Sequence, residues 1–144
     1  MRIRPYTEQD LERMVDIWFE GSKQAHSFIP EEYWASNREA MKTVYLPMAQ
    51  SFVLEENGMA AGFASIIDDY LAALFIRPAE QGKGYGGLLL NYVKERTGRL
   101  RLKVYQQNEN AVRFYQRNGF RLASETIDEL TFAPEYELIW QEEQ

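Results

Sequence analysis

The stretch best equipped for chemistry is Gln81-Gly82-Lys83-Gly84-Tyr85-Gly86-Gly87, which holds four glycines among seven residues. Glycine lets backbone N–H groups turn toward a ligand without a Cβ clash, and a helix opening at such a loop adds partial positive charge. The combination is a nest for phosphate or pyrophosphate, with Lys83 as a point charge. Gly82, Gly84 and Gly87 satisfy G-x-G-x-x-G, the spacing of a dinucleotide loop. That reading needs an acidic residue after the next strand, where this sequence has Gln106-Gln107, and a place in a first βαβ unit. A Walker A loop needs Ser or Thr after its lysine, and Gly84 stands there. Both nucleotide loops fail, which leaves a ligand-free glycine turn or another kind of pyrophosphate cradle.

Other chemistries are excluded more simply. The chain has no cysteine and one histidine, His26, so no metal site, thiol nucleophile or histidine-based triad is expected. Its 144 residues, 45% hydrophobic and 26% charged, suit one soluble domain spanning 1–144. The longest apolar run, Leu71 to Ile76, is too short for a membrane. The start MRIRPYTEQD has no apolar core of a secretory signal, and a cytoplasmic protein is expected. A net charge of −6 argues against nucleic acid as a partner, but the charge is uneven. Residues 1–76 carry 6 basic and 12 acidic side chains, 77–121 carry 10 and 3, and 122–144 carry 0 and 7. One basic stretch sits inside an acidic protein.

The elements that must position these residues follow from pattern. MRIRPY alternates as a short strand, and Thr7 with Asp10 resembles a capping box before Leu11, Met14, Val15, Trp18 and Phe19 at helical spacing. Gly21-Ser22 is expected to end that helix. Pro30 suits the start of a second helix, with Tyr33, Asn37, Ala40, Met41, Val44 and Met48 on one face and an end near Pro47. SFVLEE and MAAGFASII around Asn57-Gly58 form a hairpin signal. YLAALFI reads as a central strand buried on both faces. The glycine loop then opens a helix with a Tyr85, Leu88, Leu89, Tyr92, Val93 stripe. RLRLKVY is a strand, and Asn108 or Asn110 caps a short helix closed by Asn118-Gly119. FRLASETI and YELIW end the chain as strands, giving an α/β domain.

Gln81-x-x-Gly84-x-Gly86 after an apolar strand resembles the pyrophosphate loop of the GCN5-related N-acetyltransferases (GNAT). A second block, Asn108-x-x-Ala111-x-x-Phe114-Tyr115-x-x-x-Gly119-Phe120, is similar to that family's fourth-helix motif, in the same order and spacing. The likeness extends through Ala25-His-Ser-Phe-Ile, Glu32-Tyr-Trp and Leu71-Ala-Ala-Leu-Phe to the small bacterial YiaC/YjaB-type members.

The resemblance implies a mixed central β-sheet whose splayed parallel strands, YLAALFI and RLRLKVY, form an acetyl-CoA cleft, flanked by about four helices. It implies that backbone groups near Phe75 and Ile76 pair with the pantetheine arm. The segment Gln81, Gly82, Lys83, Gly84, Tyr85 and Gly86 would hold the pyrophosphate, and Asn108 would hydrogen-bond the pantetheine. Tyr115 would be the catalytic acid for the departing thiolate, as a phenol of pKa ~10 can be. Arg77, Lys83, Arg113 and Arg117 flank these motifs, giving the basic stretch a rationale. On the acceptor side the expected contacts are His26 and Tyr70, with Asp68 and Asp69 nearby, and no base is assigned. The implied reaction is acetyl transfer to a primary amine by direct attack, on a protein lysine or alternatively on a small amine. A non-catalytic acetyl-CoA-binding module is the reading of a different class, and monomer and homodimer stay open.

Overall fold

The computed structural model describes residues 1–143; Gln144, the last residue of the expected domain, lies outside them. Seven strands form one mixed sheet in the order β1-β2-β3-β4-β5-β7-β6. They are β1 (Arg2–Pro5), β2 (Gln50–Glu56), β3 (Met59–Ile67), β4 (Tyr70–Ile76), β5 (Arg99–Tyr105), β6 (Arg121–Ile127) and β7 (Pro134–Gln141). All neighbours are antiparallel except β4 and β5. Asn57 and Gly58 turn the β2–β3 hairpin with φ of 54° and 78°, the left-handed pair that a two-residue turn requires.

Helices cover both faces. α1 (Leu11–Ala25) and α2 (Glu31–Ser36) lie on one, over a cluster that includes Met14, Trp18, Trp34, Phe63 and Ala73. On the other face, α5 (Tyr85–Lys94) packs Leu89, Leu90 and Val93 against Leu54, Leu100 and Leu138. There α6 (Glu109–Arg117) lays Ala111, Phe114 and Tyr115 on the same cluster. At its start α1 is held by the Asp10 carboxylate, which accepts the Thr7 amide at 2.7 Å and Arg4 Nη1 at 2.8 Å.

Four expectations need correction. Gly21 and Ser22 do not end α1, which continues to Ala25. Gly21 is there for packing, since a Cβ on it would lie 2.7 Å from Phe75 Cδ1. The second helix is broken into α2, α3 (Arg38–Ala40), a π-helical turn Met41–Tyr45 and α4 (Leu46–Met48). The widened turn rotates the buried face, so Trp34, Met41 and Leu46 are inside while Val44 and Met48 are exposed. In α5, Leu90 is buried and Leu88 exposed.

β4 is not buried on both faces along its length. Only Leu71 and Ala73 are buried, and Ala72 is exposed mid-strand. The β3–β4 register shifts between Ser65 and Ile66, so Ala72 is the extra residue of a β-bulge. β3 approaches the far end of β4 so closely that a Cβ on Gly62 would lie 2.8 Å from the Phe75 carbonyl and 2.5 Å from Ile76 Cδ1. A carbonyl on a paired strand cannot swing aside as a side chain can. Gly62→Ala should therefore cost about 1–3 kcal/mol by overpacking, measured by denaturant unfolding. An unchanged midpoint would show that β4 is free to shift there.

Candidate active site

β4 and β5 run parallel but share a single pairing, Tyr70 with Arg101. The vertex is closed by the Arg101 amide, which donates to the Asp69 carbonyl at 2.9 Å. The Asp69 carboxylate accepts from Arg101 Nε at 3.0 Å and pairs with Arg99 Nε at 3.6 Å. Asp69 is thus spent on clipping the strands together. Beyond this point the strands part, and the β5-facing edge of β4 has no strand partner toward Ile76. The gap is a cleft of about 710 Å³ that brings together Phe75, Ile76, Gln81, Gly86, Asn108, Tyr115, His26 and Tyr70. Gly82, Lys83, Gly84 and Tyr85 sit in the adjoining loop and do not line the cleft.

The loop is shaped by Gly82 and Gly84, both with φ of 83°, a region that side chains other than glycine rarely adopt. A Cβ at Gly82, Gly84 or Gly87 would meet nothing within 4 Å, so the loop faces open space. Among the described residues, the amides of Gly82 and of Gly84 to Gly87 donate to no protein acceptor. The last four open α5, where amides lack helical partners and the dipole favours an anion. The Gln81 side-chain amide closes the corner, donating to the Ile76 carbonyl at 3.1 Å and to Gln24 Oε1 at 3.0 Å. Lys83 is partly neutralised by Glu80 at 2.5 Å and Glu56 at 3.9 Å, and its pKa is raised by the Glu80 hydrogen bond. Arg77 also pairs with Glu80, at 3.6 Å, and Arg113 donates to Asn110.

α6 supplies the next wall. Asn108, rather than Asn110, caps it, its Oδ1 accepting the Ala111 amide at 3.4 Å. Its side-chain amide donates to no protein acceptor among the described residues. Tyr115 stacks edge-on against Phe114 and Phe120, at centroid separations of 5.2 and 5.3 Å. Gly119, with φ of 90°, turns the chain so that the Phe120 amide bonds the Tyr115 carbonyl at 3.0 Å, which fixes the tyrosine at the helix end. The Tyr115 hydroxyl has no protein hydrogen-bond partner among the described residues. Burial raises its pKa, and the nearby Tyr70 adds to the rise, so it is held protonated.

The remaining wall is aromatic. His26, 9% exposed, lies 4.9 Å from Tyr105, 5.5 Å from Trp34 and 5.9 Å from Phe28, ring to ring. Its Nδ1 is enclosed without a partner, and burial lowers its pKa to about 4, so the ring is neutral at pH 7. Tyr70 is half-buried under the Arg101 guanidinium, 4.9 Å from the ring centroid. Tyr105 donates to Asp128 Oδ2 at 2.5 Å, which ties the β6–β7 loop to the cleft. Pattern reading missed Trp18, Gln24, Tyr105 and Glu135, all of which line the cleft. Finding Glu135 would have required knowing that β7 inserts beside β5.

A sheet split at a parallel pair, with unbonded amides along one side and a free phenol on another, is the frame of an acyltransferase that takes its acyl group from a nucleotide-bearing thioester. The sequence pattern described as an acetyltransferase (GNAT) domain matches residues 47–122. The chain is 34% identical over 139 residues to the peptidyl-lysine N-acetyltransferase YiaC of Escherichia coli K12, covering 96% of this chain and 95% of that protein. It is 30% identical over 130 residues to the peptidyl-lysine N-acetyltransferase YjaB of the same organism, covering 89% and 88%. The solution structure of apo YjaB from Escherichia coli superposes with a TM-score of 0.86 at 28% identity, covering 99% of this chain and 98% of that one. The chain therefore belongs to the GNAT family and is an acetyl-CoA-dependent N-acetyltransferase. The free β4 edge and the open glycine cradle fit that donor, which supplies an activated thioester carbonyl when bound.

The buried neutral His26 makes a pH prediction. Its folded pKa, about 4, lies below the unfolded value of 6.5, so below pH 6.5 the unfolded chain binds a proton that the folded one refuses. Stability is full above pH 6.5 and falls toward pH 4, by about 3 kcal/mol from this group. Denaturant unfolding at pH 7 and pH 4 should show a correspondingly smaller loss in His26→Asn; equal losses in both proteins would place the imidazole in water.

Proposed function

We propose that this enzyme acetylates the ε-amine of lysines in proteins, with residues 1–144 forming one acetyltransferase domain that works in the cytoplasm. The observation that carries the reading is the similarity to a peptidyl-lysine N-acetyltransferase along 96% of the chain. The β6–β7 loop agrees with a polypeptide acceptor. It holds Leu130 and Phe132 77% and 79% exposed, and Phe132 keeps a φ of 60°. A bulky residue held outward in the left-handed region is costly, and contact with a partner chain gives it a use.

In this reading the unpaired β4 edge at Phe75 and Ile76 bonds the pantetheine amides as an added strand would. The amides from Gln81 through Gly86 hold the pyrophosphate, with Lys83 adding a charge shared with Glu80 and Glu56. Asn108 uses its Oδ1 for the helix cap and its side-chain N–H for the pantetheine. Tyr115 keeps its proton until a thiolate leaves, then donates it. His26 and Tyr70 are walls of the acceptor channel, and a neutral imidazole there admits an alkyl stem without charge repulsion.

Mass spectrometry of a lysate incubated with enzyme and acetyl-CoA tests the acceptor: acetyl-lysine on proteins is expected. Acetylated polyamines or amino acids alone would move the assignment to a small amine, and acetyl-CoA binding with no product would leave a binding module. Tyr115→Phe should lower kcat by ~10²–10⁴-fold while leaving acetyl-CoA affinity near wild type, read by calorimetry. Equal losses in both would make Tyr115 a packing residue. Gly84→Val, strained by the positive φ, should abolish acetyl-CoA binding in a protein that still folds by circular dichroism.

A further inference from the structure

The acceptor is an amine, and an amine is an ammonium at neutral pH, so something must take a proton before attack. Glu135 is placed for this. It is the second residue of β7 and stands opposite Tyr105 of β5 and Thr126 of β6 in the antiparallel registers. Residues directly opposite share a sheet face, so Glu135 is on the side where Tyr105 packs against His26 and Phe28. It lines the same cleft as Tyr70, His26 and Tyr115.

The other carboxylates nearby are committed. Asp69 clips Arg99 and Arg101, Asp128 takes the Tyr105 hydroxyl and the Leu130 amide, and Glu137 accepts from Ser124 at 3.3 Å. Glu109 lines the cleft too but is exposed in the first turn of α6. Glu135 is half-buried and makes no side-chain hydrogen bond or ion pair among the described residues. A partly buried carboxylate without a partner is costly unless a cation visits it.

We propose that Glu135 binds the ammonium of the acceptor and removes its proton. The carboxylate takes one proton from R–NH₃⁺ and leaves R–NH₂, whose lone pair forms the C–N bond to the acetyl carbon. As the C–S bond breaks, Tyr115 protonates the sulfur and is restored by the second proton leaving nitrogen. The products are amide and thiol, and the remaining proton passes from Glu135 to solvent. The surrounding groups suit the task. Burial raises the carboxyl pKa and the Asp128 charge adds to this, while Lys103 opposes them. Tyr70 faces it from β4, and the neutral His26, just past the end of α1, lines the same cleft.

The proposal rests on an amine acceptor, whichever molecule carries it. The test compares wild type with Glu135→Gln, using poly-L-lysine and spermidine as acceptors from pH 6.5 to pH 10. At pH 7, kcat/KM for the amine should fall ~10²-fold. The gap should narrow as pH approaches ~10.4, where amines deprotonate unaided. Acetyl-CoA affinity by calorimetry should be unchanged, Glu135→Asp should recover part of the rate, and Glu95→Gln, which removes an exposed charge at the far end of α5, should match wild type. An unchanged rate, a loss that persists equally at high pH, or weakened acetyl-CoA binding would each overturn the role of Glu135 alone. A wild-type enzyme inert toward both acceptors would overturn the amine reading and this proposal with it.

Discussion

Everything functional here depends on one incomplete pairing. β4 and β5 are parallel neighbours in the middle of the sheet, yet they meet at one rung, Tyr70 with Arg101. The Asp69 carboxylate, shared between Arg99 and Arg101, holds that rung. A sheet interior normally satisfies its backbone groups along the whole strand. Here the strands separate after the clip and leave an internal edge that water or a ligand must satisfy. The cost is contained because both strands are paired on their outer sides, β4 with β3 at every residue but Ala72 and β5 with β7 throughout. Gly21 and Gly62 let α1 and β3 press close to the free stretch of β4, which keeps the edge in place.

Much of this was legible in order and spacing. The strands, the Asn57-Gly58 hairpin, the glycine loop and the Asn108-to-Phe120 block fell where pattern put them, because each depends on local backbone chemistry. What local patterns could not carry was the relation between distant elements. YLAALFI is as apolar as a fully buried strand, and only the bulge at Ala72 and the divergence of β5 explain why Ala72 is exposed and Phe75 half-buried. Gly21 reads as a helix breaker until Phe75, more than fifty residues on, is seen beneath it. The π-helical turn after Ala40 changes which side of the second helical region is inside, and no periodicity rule anticipates an inserted residue.

The charge pattern shows the same limit. The basic stretch 77–121 borders the glycine loop as expected, but its side chains are largely engaged: Lys83 and Arg77 with Glu80, Arg99 and Arg101 with Asp69. In the proposed pyrophosphate site, anion attraction therefore falls chiefly to unbonded backbone amides, which are fixed in direction and need no side-chain ordering. Glu135 reaches the cleft from the acidic last segment, brought there when β7 inserts between β5 and β6.

In the proposed reaction the two substrates carry charge of opposite sign and meet different kinds of group on the walls of the cleft. Amides at the start of α5 present partial positive charge that cannot be titrated away. The opposite need, accepting a cation and then its proton, requires a group that changes charge, and a carboxylate in a half-buried site does so where an amide cannot. Between them stands Tyr115, neutral and unbonded, positioned by the Gly119 turn rather than by any partner for its hydroxyl. A phenol committed to a protein acceptor would have to break that bond before donating. In the proposed reaction a free phenol keeps its proton available for the departing thiolate.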